Sequence, residues 1–404
     1  MSVIRPFRAL RPVRESAADV SSVPYDVVTT EEAKEIAAGN PLSFLHVTRS
    51  EIDLPPGTDP YSAAVYDKAR TNFAWLRDRA MLAENVPSLY FYRLRMGAHE
   101  QTGIAAGFSL DEYEQDRIKK HERTRRDKED DRTRHIIELR AQTGVVFLTY
   151  RASEPIERLC RAVTADAPIY DFRAPDGIHH TIWKADSSET TRLVDAFAEV
   201  PALYIADGHH RAASAARARS ALRARGDASE ADTFLAVAFP HDQLQILPYN
   251  RVVKDLAGRT ADQFLDAVRS RLPVRAGGAV ARRRGEIAMY LDGAWHAIDL
   301  SGVAPADSSR GSTLDVSLLQ QHMLEPLLAI GDVRTDKRID FIGGARGAAA
   351  LEQAVRSGRA AVAFSMHPVT IDDLMAIADE GGIMPPKSTW FEPKLRDGLL
   401  VHTI

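Results

Sequence analysis

The chain has 404 residues, 45% hydrophobic, 27% charged and 7% aromatic, with a formal net charge of −4. Such a length supports a large core and suggests two or three domains, and ordinary apolar content with little net charge excludes a disordered chain. The single cysteine, Cys160, excludes a disulfide framework or a zinc site built on several thiolates, and 24 glycines and 21 prolines without a period exclude a collagen-like chain.

The predicted elements alternate between helix and strand. PFRALRP and SSVPYDVV read as short extended pieces broken by prolines, and the second carries an early carboxylate, Asp26. TTEEAKEIAAGNP reads as a short helix, with Thr30 as N-cap, acids in the first turn and Gly39-Asn40-Pro41 as its stop. SFLHVTRS is expected to be a strand, and Pro60 to Glu84 has helical spacing, with Tyr66, Phe73, Trp75 and Leu76 among its larger apolar residues. SLYFYRLRM and QTGIAAGFSL alternate like a hairpin turning at His99-Glu100, and the strand VVFLTY follows a densely charged segment.

A helix near 153–166, short strands near Pro168 and Thr181-Ile182-Trp183, and a helix over 188–199 lead into the strand ALYIAD. An Ala/Arg-rich helix then runs from Arg211 to Arg225, and FLAVAFP and LQILPYNRVV are strong strands. A helix at 261–271, a meander in EIAMYLDGAWHAIDL, a surface loop in SGVAPADSSRGS and a helix at 314–329 precede further α/β elements. This interleaving assigns the chain to the mixed α/β or α+β class. No apolar run approaches the roughly 18 residues of a membrane span, and MSVIRPFRALRPVRE lacks the apolar stretch of a signal peptide, so a cytoplasmic protein without a membrane partner is expected.

The sharpest chemical signal is Tyr204-Ile-Ala-Asp-Gly-His-His-Arg211, an apolar strand that passes through a glycine turn into a helix. Helix N-termini present unpaired N–H groups and the positive end of the dipole, so they take phosphate readily. Gly208 lets the backbone approach a ligand, Arg211 has the fork that matches phosphate oxygens, and Asp207 suits Mg²⁺ or a proton. The bland alternative is a tight turn whose histidines cap or pack.

Arg117 to Arg134 holds nine Lys/Arg against five Asp/Glu, a net +4. Arg125 stands where a zincin would need its second histidine after His121-Glu122, which excludes that site. Lys128, Asp131, Arg132 and His135 recur at three- and four-residue spacing, on one side of a helix. That face either grips a polyanion or is a solvated charged surface. Near the C-terminus, GGIMPPKSTWFEPK displays Lys387, Ser388 and Thr389 together, which suits a phosphate or makes a rigid turn before a strand; it is not a P-loop. Asp176-Gly-Ile-His-His180 reads as a polar loop or a turn, and Cys160 as a packed thiol. Neither a Gly-x-Ser-x-Gly nor a Gly-x-Gly-x-x-Gly after a strand is present.

PFRALRP with VPYDVV, KKHERTRRDKEDDRTRH, LYIADGHHRAASA and MPPKSTWFEPKLRDGLL occur in the order found in domain-of-unknown-function family 1015, and the chain resembles that family over nearly its whole length. The DGHHR turn also resembles the phosphate-binding turn of the ParB/sulfiredoxin-like superfamily, where free-serine kinases carry an Asp-Gly-His-His-Arg of the same form. The resemblance implies a ParB/sulfiredoxin-like phosphate-binding core elaborated by α/β lobes. The expected divisions are an N-terminal lobe at 1–110, a central lobe at 111–255 and a C-terminal lobe at 256–404.

The activity implied is a phosphotransferase on free L-serine or phosphoserine, a serine kinase or a phosphoserine-dephosphorylating transferase with a phosphatase as the alternative, using Mg²⁺ and either a nucleotide (ATP or ADP) or pyrophosphate. Asp207, His209 and His210 would form the phosphoryl-transfer centre, with Glu122 or Asp26 in the role of the kinases' catalytic glutamate. Gly208 and Arg211 would cradle the phosphate. Lys119, His121, Thr124, Lys128, Arg132, Lys387, Ser388 and Thr389 would bind phosphate or substrate, and Asp207 with Asp131 would hold the metal. Two other classes stay open: a ParB-like nucleotide-dependent DNA-binding protein or nuclease, disfavoured by the near-neutral charge, and a non-catalytic sensor of an anionic metabolite.

Overall fold

The computed structural model describes residues 3–227 and 230–404. It is mixed α/β, as the alternation along the sequence predicts. Two compact units are formed: the described residues up to Leu244 together with Pro393–Ile404, and Gln245–Glu392. The expected divisions at 110 and 255 fall elsewhere because strands from either side of residue 110 share a sheet. Thr233–Pro240 runs antiparallel to His99–Ser109, from Thr233 opposite Ser109 to Ala238 opposite Ile104.

The main sheet of the first unit runs in the spatial order Ile118–Lys119, Leu203–Asp207, Val146–Tyr150, Thr233–Pro240, His99–Ser109, Tyr90–Met96, His179–Lys184 and Tyr170–Arg173, with Ile4–Arg5 beside His99–Ser109. Every residue of Val146–Tyr150 and of Thr233–Pro240 is buried. Strands that are apolar on both faces in this way belong to a sheet covered on both sides. The predicted hairpin forms, but it turns at Gly97-Ala98, two residues before His99-Glu100, with Met96 opposite His99.

A smaller sheet orders Met81–Ala83, Ala9–Pro12, Val401–Thr403 and Ala141–Gln142. It places the C-terminal strand between segments from much earlier in the chain, and so brings residues 393–404 into the first unit.

Two local expectations are corrected. The helix Thr30–Ala37 is capped by Thr29, not Thr30. The Thr29 hydroxyl accepts from the Glu32 N–H at 3.1 Å, and the Glu32 carboxylate accepts from the Thr29 N–H at 2.9 Å, a reciprocal capping box. SFLHVTRS forms a helical turn, Leu45–Thr48, rather than a strand. Short apolar runs do not distinguish the two, and tertiary packing decides here: Phe44 and Val47 join Phe73 and Leu76 of the helix Ala63–Ala80 in one core cluster. Trp75 on that helix faces outward, 39% exposed.

The second unit is an antiparallel sheet in the order Val274–Ala276, Ala294–Asp299, Glu286–Leu291, Val362–Ser365, Tyr249–Val253 and Ile339–Gly343. Gln245–Leu247 pairs separately with Trp390–Glu392. Helix Gly347–Arg356 seats Leu351 and Ala354 against Val252, Tyr290 and Ala363. The helix expected at 314–329 is interrupted by a wider π-helical turn at Gln320–Leu324. Among the described residues no helix is long and apolar enough to cross a membrane.

Candidate functional site

The strand Leu203–Asp207 ends at a single glycine, and the helix His209–Arg223 begins directly after it. Gly208 takes φ +96°, a left-handed conformation that side chains disfavour, and it offers the helix no side-chain cap. A Cβ there would lie 3.4 Å from both the Arg211 side chain and the Val146 Cα. The turn is therefore built so that backbone, not side chain, occupies the helix entrance. Leu203 and Tyr204 pair in parallel with Ile118 and Lys119, so the charged segment that follows Lys119 emerges beside this turn.

Two long-range ion pairs flank it. Lys394 Nζ lies 2.9 Å from Asp207 Oδ2. Burial alone would push the Asp207 carboxyl up, but Lys394 and Arg211 outweigh it and hold it well below the usual carboxylate range. Arg211, 7% exposed, donates to both oxygens of Asp26 at 2.9 and 2.8 Å and to the Val145 carbonyl at 2.6 Å. Its guanidinium therefore faces the protein interior. Arg132 and Arg211 both lie over the Tyr25 ring, at 4.3 and 5.9 Å from its centre. A cavity of about 20 Å³, room for about one water, is lined by Tyr25, Arg132, His135 and Arg211 among others.

A third carboxyl stands close by. Asp397 is 1% exposed, and its Oδ2 has no hydrogen-bond partner among the described residues. Burial raises it to about 7; Arg211 opposes the rise and the Asp26 charge adds to it. It is fixed by a two-way backbone bridge with Ser22, N to O at 2.9 and 3.1 Å.

The histidines pack rather than project. The rings of His121 and His209 meet edge to face at 4.4 Å, and the His121 N–H donates to His209 Nε2 at 3.4 Å. That bond leaves the His209 proton on Nδ1, 3.7 Å from Glu122 Oε2. Burial keeps both rings neutral, with His121 pulled down to about 4 and His209 well below its ordinary value. His210 accepts from the Arg125 N–H at 2.9 Å and is likewise lowered by burial. The positive charge around the turn thus comes from Lys394, Arg211 and the helix end.

The other predicted residues divide. The predicted helix of the charged segment spans Arg126–Leu139 only. Within it, Asp131 accepts from the Tyr66 hydroxyl at 2.7 Å and pairs with Arg132 at 2.8 Å, which occupies the oxygens expected to hold a metal. Lys128 donates to the Tyr61 hydroxyl at 2.9 Å, and the Thr124 hydroxyl bonds Glu129. Much of the segment's charge is neutralised locally, by Lys120–Asp116 at 3.0 Å, Arg125–Asp127 at 2.8 Å and the Arg132 pair. Among the described residues, no group of three or more His, Cys, Asp or Glu side chains is arranged to hold a metal ion. Lys387, Ser388 and Thr389 belong to the second unit.

Sequence reasoning missed Lys394 as the partner of Asp207, and it missed Asp397. Both lie in the FEPKLRDG stretch, where nothing local distinguishes them. The Asp176–His180 motif forms the turn and start of the strand His179–Lys184. There His180, fully buried, bonds the Tyr92 hydroxyl at 2.8 Å and Arg396 at 3.4 Å, and Arg396 pairs with Asp176.

A family model described as "Protein of unknown function (DUF1015)" matches residues 4–317. No curated protein matches the chain. Among solved structures, a conserved hypothetical protein from Pyrococcus furiosus is similar at 14% identity and a TM-score of 0.36, over 74% of this chain and 95% of that one. A free serine kinase in complex with AMP is similar at 14% identity and a TM-score of 0.36, over 74% and 91%. SbnI with a C-terminal truncation, from Staphylococcus aureus, is similar at 12% identity and a TM-score of 0.38, over 74% and 87%.

Proposed function

The chain belongs to the DUF1015 family of proteins of unknown function, and we propose that it is a phosphotransferase interconverting free L-serine and phosphoserine, with a nucleotide or pyrophosphate as the second substrate. One observation carries this reading: an uncapped helix start behind a left-handed glycine, bracketed by a carboxylate–lysine pair and a carboxylate–arginine pair. Phosphoryl transfer asks a protein chiefly for positioning and charge neutralisation. The resemblance of the DGHHR turn to that of free-serine kinases supplies the choice of serine as acceptor.

In this reading the N–H groups at the start of the helix receive the transferred phosphate, and Lys394, paired with Asp207, adds positive charge beside it. Arg211 is spent on Asp26 and Val145, so its role is to orient Asp26 rather than to grip phosphate. Asp26, with a side chain 38% exposed, or Glu122, 52% exposed, takes the proton from the serine hydroxyl as its oxygen forms the new bond to phosphorus and the donor oxygen leaves. Neutral His209, with its proton on Nδ1, lies 3.7 Å from the Glu122 carboxylate, close enough to turn that N–H toward it as substrate enters. Mg²⁺ asks for one or two carboxylates and several phosphate oxygens. Asp207, whose Oδ2 is taken by Lys394, would offer its other oxygen to the ion beside a phosphorylated substrate, whereas both Asp26 oxygens are taken by Arg211; the ion would neutralise charge on the transferred group. Asp131 has no part in it.

Purified protein is to be incubated with serine plus ATP, ADP or pyrophosphate, and with phosphoserine plus ADP, AMP or phosphate, each with Mg²⁺ and followed by phosphorus NMR. Appearance of phosphoserine, or its loss, is expected in at least one pairing. No interconversion in any of them overturns the assignment.

A further inference from the structure

The second unit contains a buried cation that no carboxylate among the described residues pairs with. Arg251, on the strand Tyr249–Val253, is 3% exposed. Its hydrogen bonds go to main-chain carbonyls: that of Tyr249, that of Lys387 at 3.1 Å and that of Pro386 at 3.5 Å. Burial pulls its guanidinium down to about 10, and among the described residues the ionisable group that counteracts this is the Tyr249 phenol. Buried charges in proteins are paired with an opposite charge or a ligand as a rule, because dipoles alone repay little of the lost hydration.

A second cation belongs to the loop whose carbonyls Arg251 bonds. Lys387 holds φ +58°, a left-handed conformation uncommon for a residue with a side chain. The turn aims its carbonyl at Arg251, while its ammonium lies 5.3 Å from the centre of the Tyr249 ring. That ring meets Phe341 at 5.9 Å and Trp390 at 5.1 Å, both edge to face, and the Arg251 guanidinium lies 5.6 Å from the centre of the Phe341 ring. The indole is held firmly: a Cβ on Gly343 would come within 2.6 Å of it. Three half-buried rings lower the polarity around the two cations and strengthen their field.

We propose that Arg251 and Lys387 hold a phosphate-class oxyanion against the Tyr249–Phe341–Trp390 rings, giving the second unit an anion site of its own. An arginine fork and a lysine point charge are the two groups proteins use for such anions. The site rests on the second unit alone and does not depend on the activity proposed above.

The test uses the intact protein, titrated with inorganic phosphate and with pyrophosphate at constant ionic strength, and followed by calorimetry and tryptophan fluorescence. Saturable binding with a fluorescence change is expected. Trp390→Phe should abolish the fluorescence change, Lys387→Met should weaken binding at least tenfold without moving the thermal transition, and Arg251→Met should remove it. Asp207→Asn should leave this binding in place, which separates it from phosphate held at the Gly208 turn. Lys387 is exposed, so its variant remains informative even if the Arg251 variant fails to fold. If Lys387→Met and Trp390→Phe leave both signals unchanged, there is no anion site, and Arg251 serves only to clamp the Pro386–Lys387 loop. That outcome would say nothing against serine phosphorylation, which has its own assay.

Discussion

Arg211 reaches 185 residues back along the chain to Asp26, and one of its nitrogens contacts both carboxylate oxygens, at 2.9 and 2.8 Å. The guanidinium is buried and the carboxylate is partly open to solvent, so the pair is an anchored acid whose far edge is available. Removing the anchor should matter to stability, and changing the acid should matter to chemistry.

Arg211→Met should destabilise the protein by about 2 kcal/mol, less than a fully buried pair would cost because Asp26 is partly hydrated. Asp26→Asn should cost less in stability, yet lower serine–phosphoserine turnover by roughly 10² or more if Asp26 is the base. Urea unfolding and initial rates measure the two. Retained turnover in Asp26→Asn would pass the role of base to Glu122.

The Asp207–Lys394 pair predicts a pH dependence. A carboxylate held below its ordinary range contributes stability above about pH 4, where the unfolded chain would also ionise, and that contribution is lost as pH falls toward the lower native value. Asp207→Asn should therefore be less stable than the parent at pH 7, by about 2 kcal/mol, and the gap should close below about pH 4. Equal gaps at pH 7 and pH 3, read from denaturant midpoints, would show that the pair does not set the Asp207 charge.

Asp397 predicts the opposite sign. Its native carboxyl is raised to about 7, so the folded state holds a proton that the unfolded state releases near pH 4. Stability from this group is full below about pH 4 and declines as pH rises toward 7. The groups acting on it are Arg211, Asp26, Arg132 and the Val145 N–H. Asp397→Asn, neutral at every pH, should gain on the parent between pH 5 and 8, by up to about 4 kcal/mol. A constant difference across that range would mean that Asp397 is ionised throughout.

Gly208→Ala should cost about 1–2 kcal/mol through its left-handed backbone alone, and it should weaken phosphate binding at the turn by placing a methyl group at the helix entrance. Thermal melts give the first and calorimetry the second. An unchanged phosphate affinity would remove the turn from the binding surface.

Much of the fold was legible because it is local. The Asp207-Gly208 turn, the hairpin and most of the helices follow from periodicity and turn chemistry, and the pairing of Leu203–Tyr204 with Ile118–Lys119 then brings two separately noted motifs together. What escaped is what depends on return of the chain from far away. Lys394 and Asp397 are ordinary charged residues in their own stretch, and only the strand Val401–Thr403, inserted between Ala9–Pro12 and Ala141–Gln142, carries them to the turn. Arg211 is expected to cradle phosphate because its guanidinium fork matches phosphate oxygens. Asp26 and the Val145 carbonyl, neither adjacent in sequence, draw it inward. SFLHVTRS failed for a related reason, since its helical turn is decided by the helix it packs against.

The late return of residues 393–404 to the first unit also sets an order of events during synthesis. Gln245–Glu392 stands between the DGHHR turn and its lysine partner, so a ribosome adding about 5–20 residues per second spends about 7–30 s on the second unit before Lys394 exists. Throughout that interval the small sheet lacks its Val401–Thr403 strand, and Asp207 lacks the ammonium that balances it. The nascent chain therefore carries its turn and its histidines without the completed charge arrangement, and residues 393–404, emerging after the second unit, act as the closing fastener of an arrangement whose other parts were made long before.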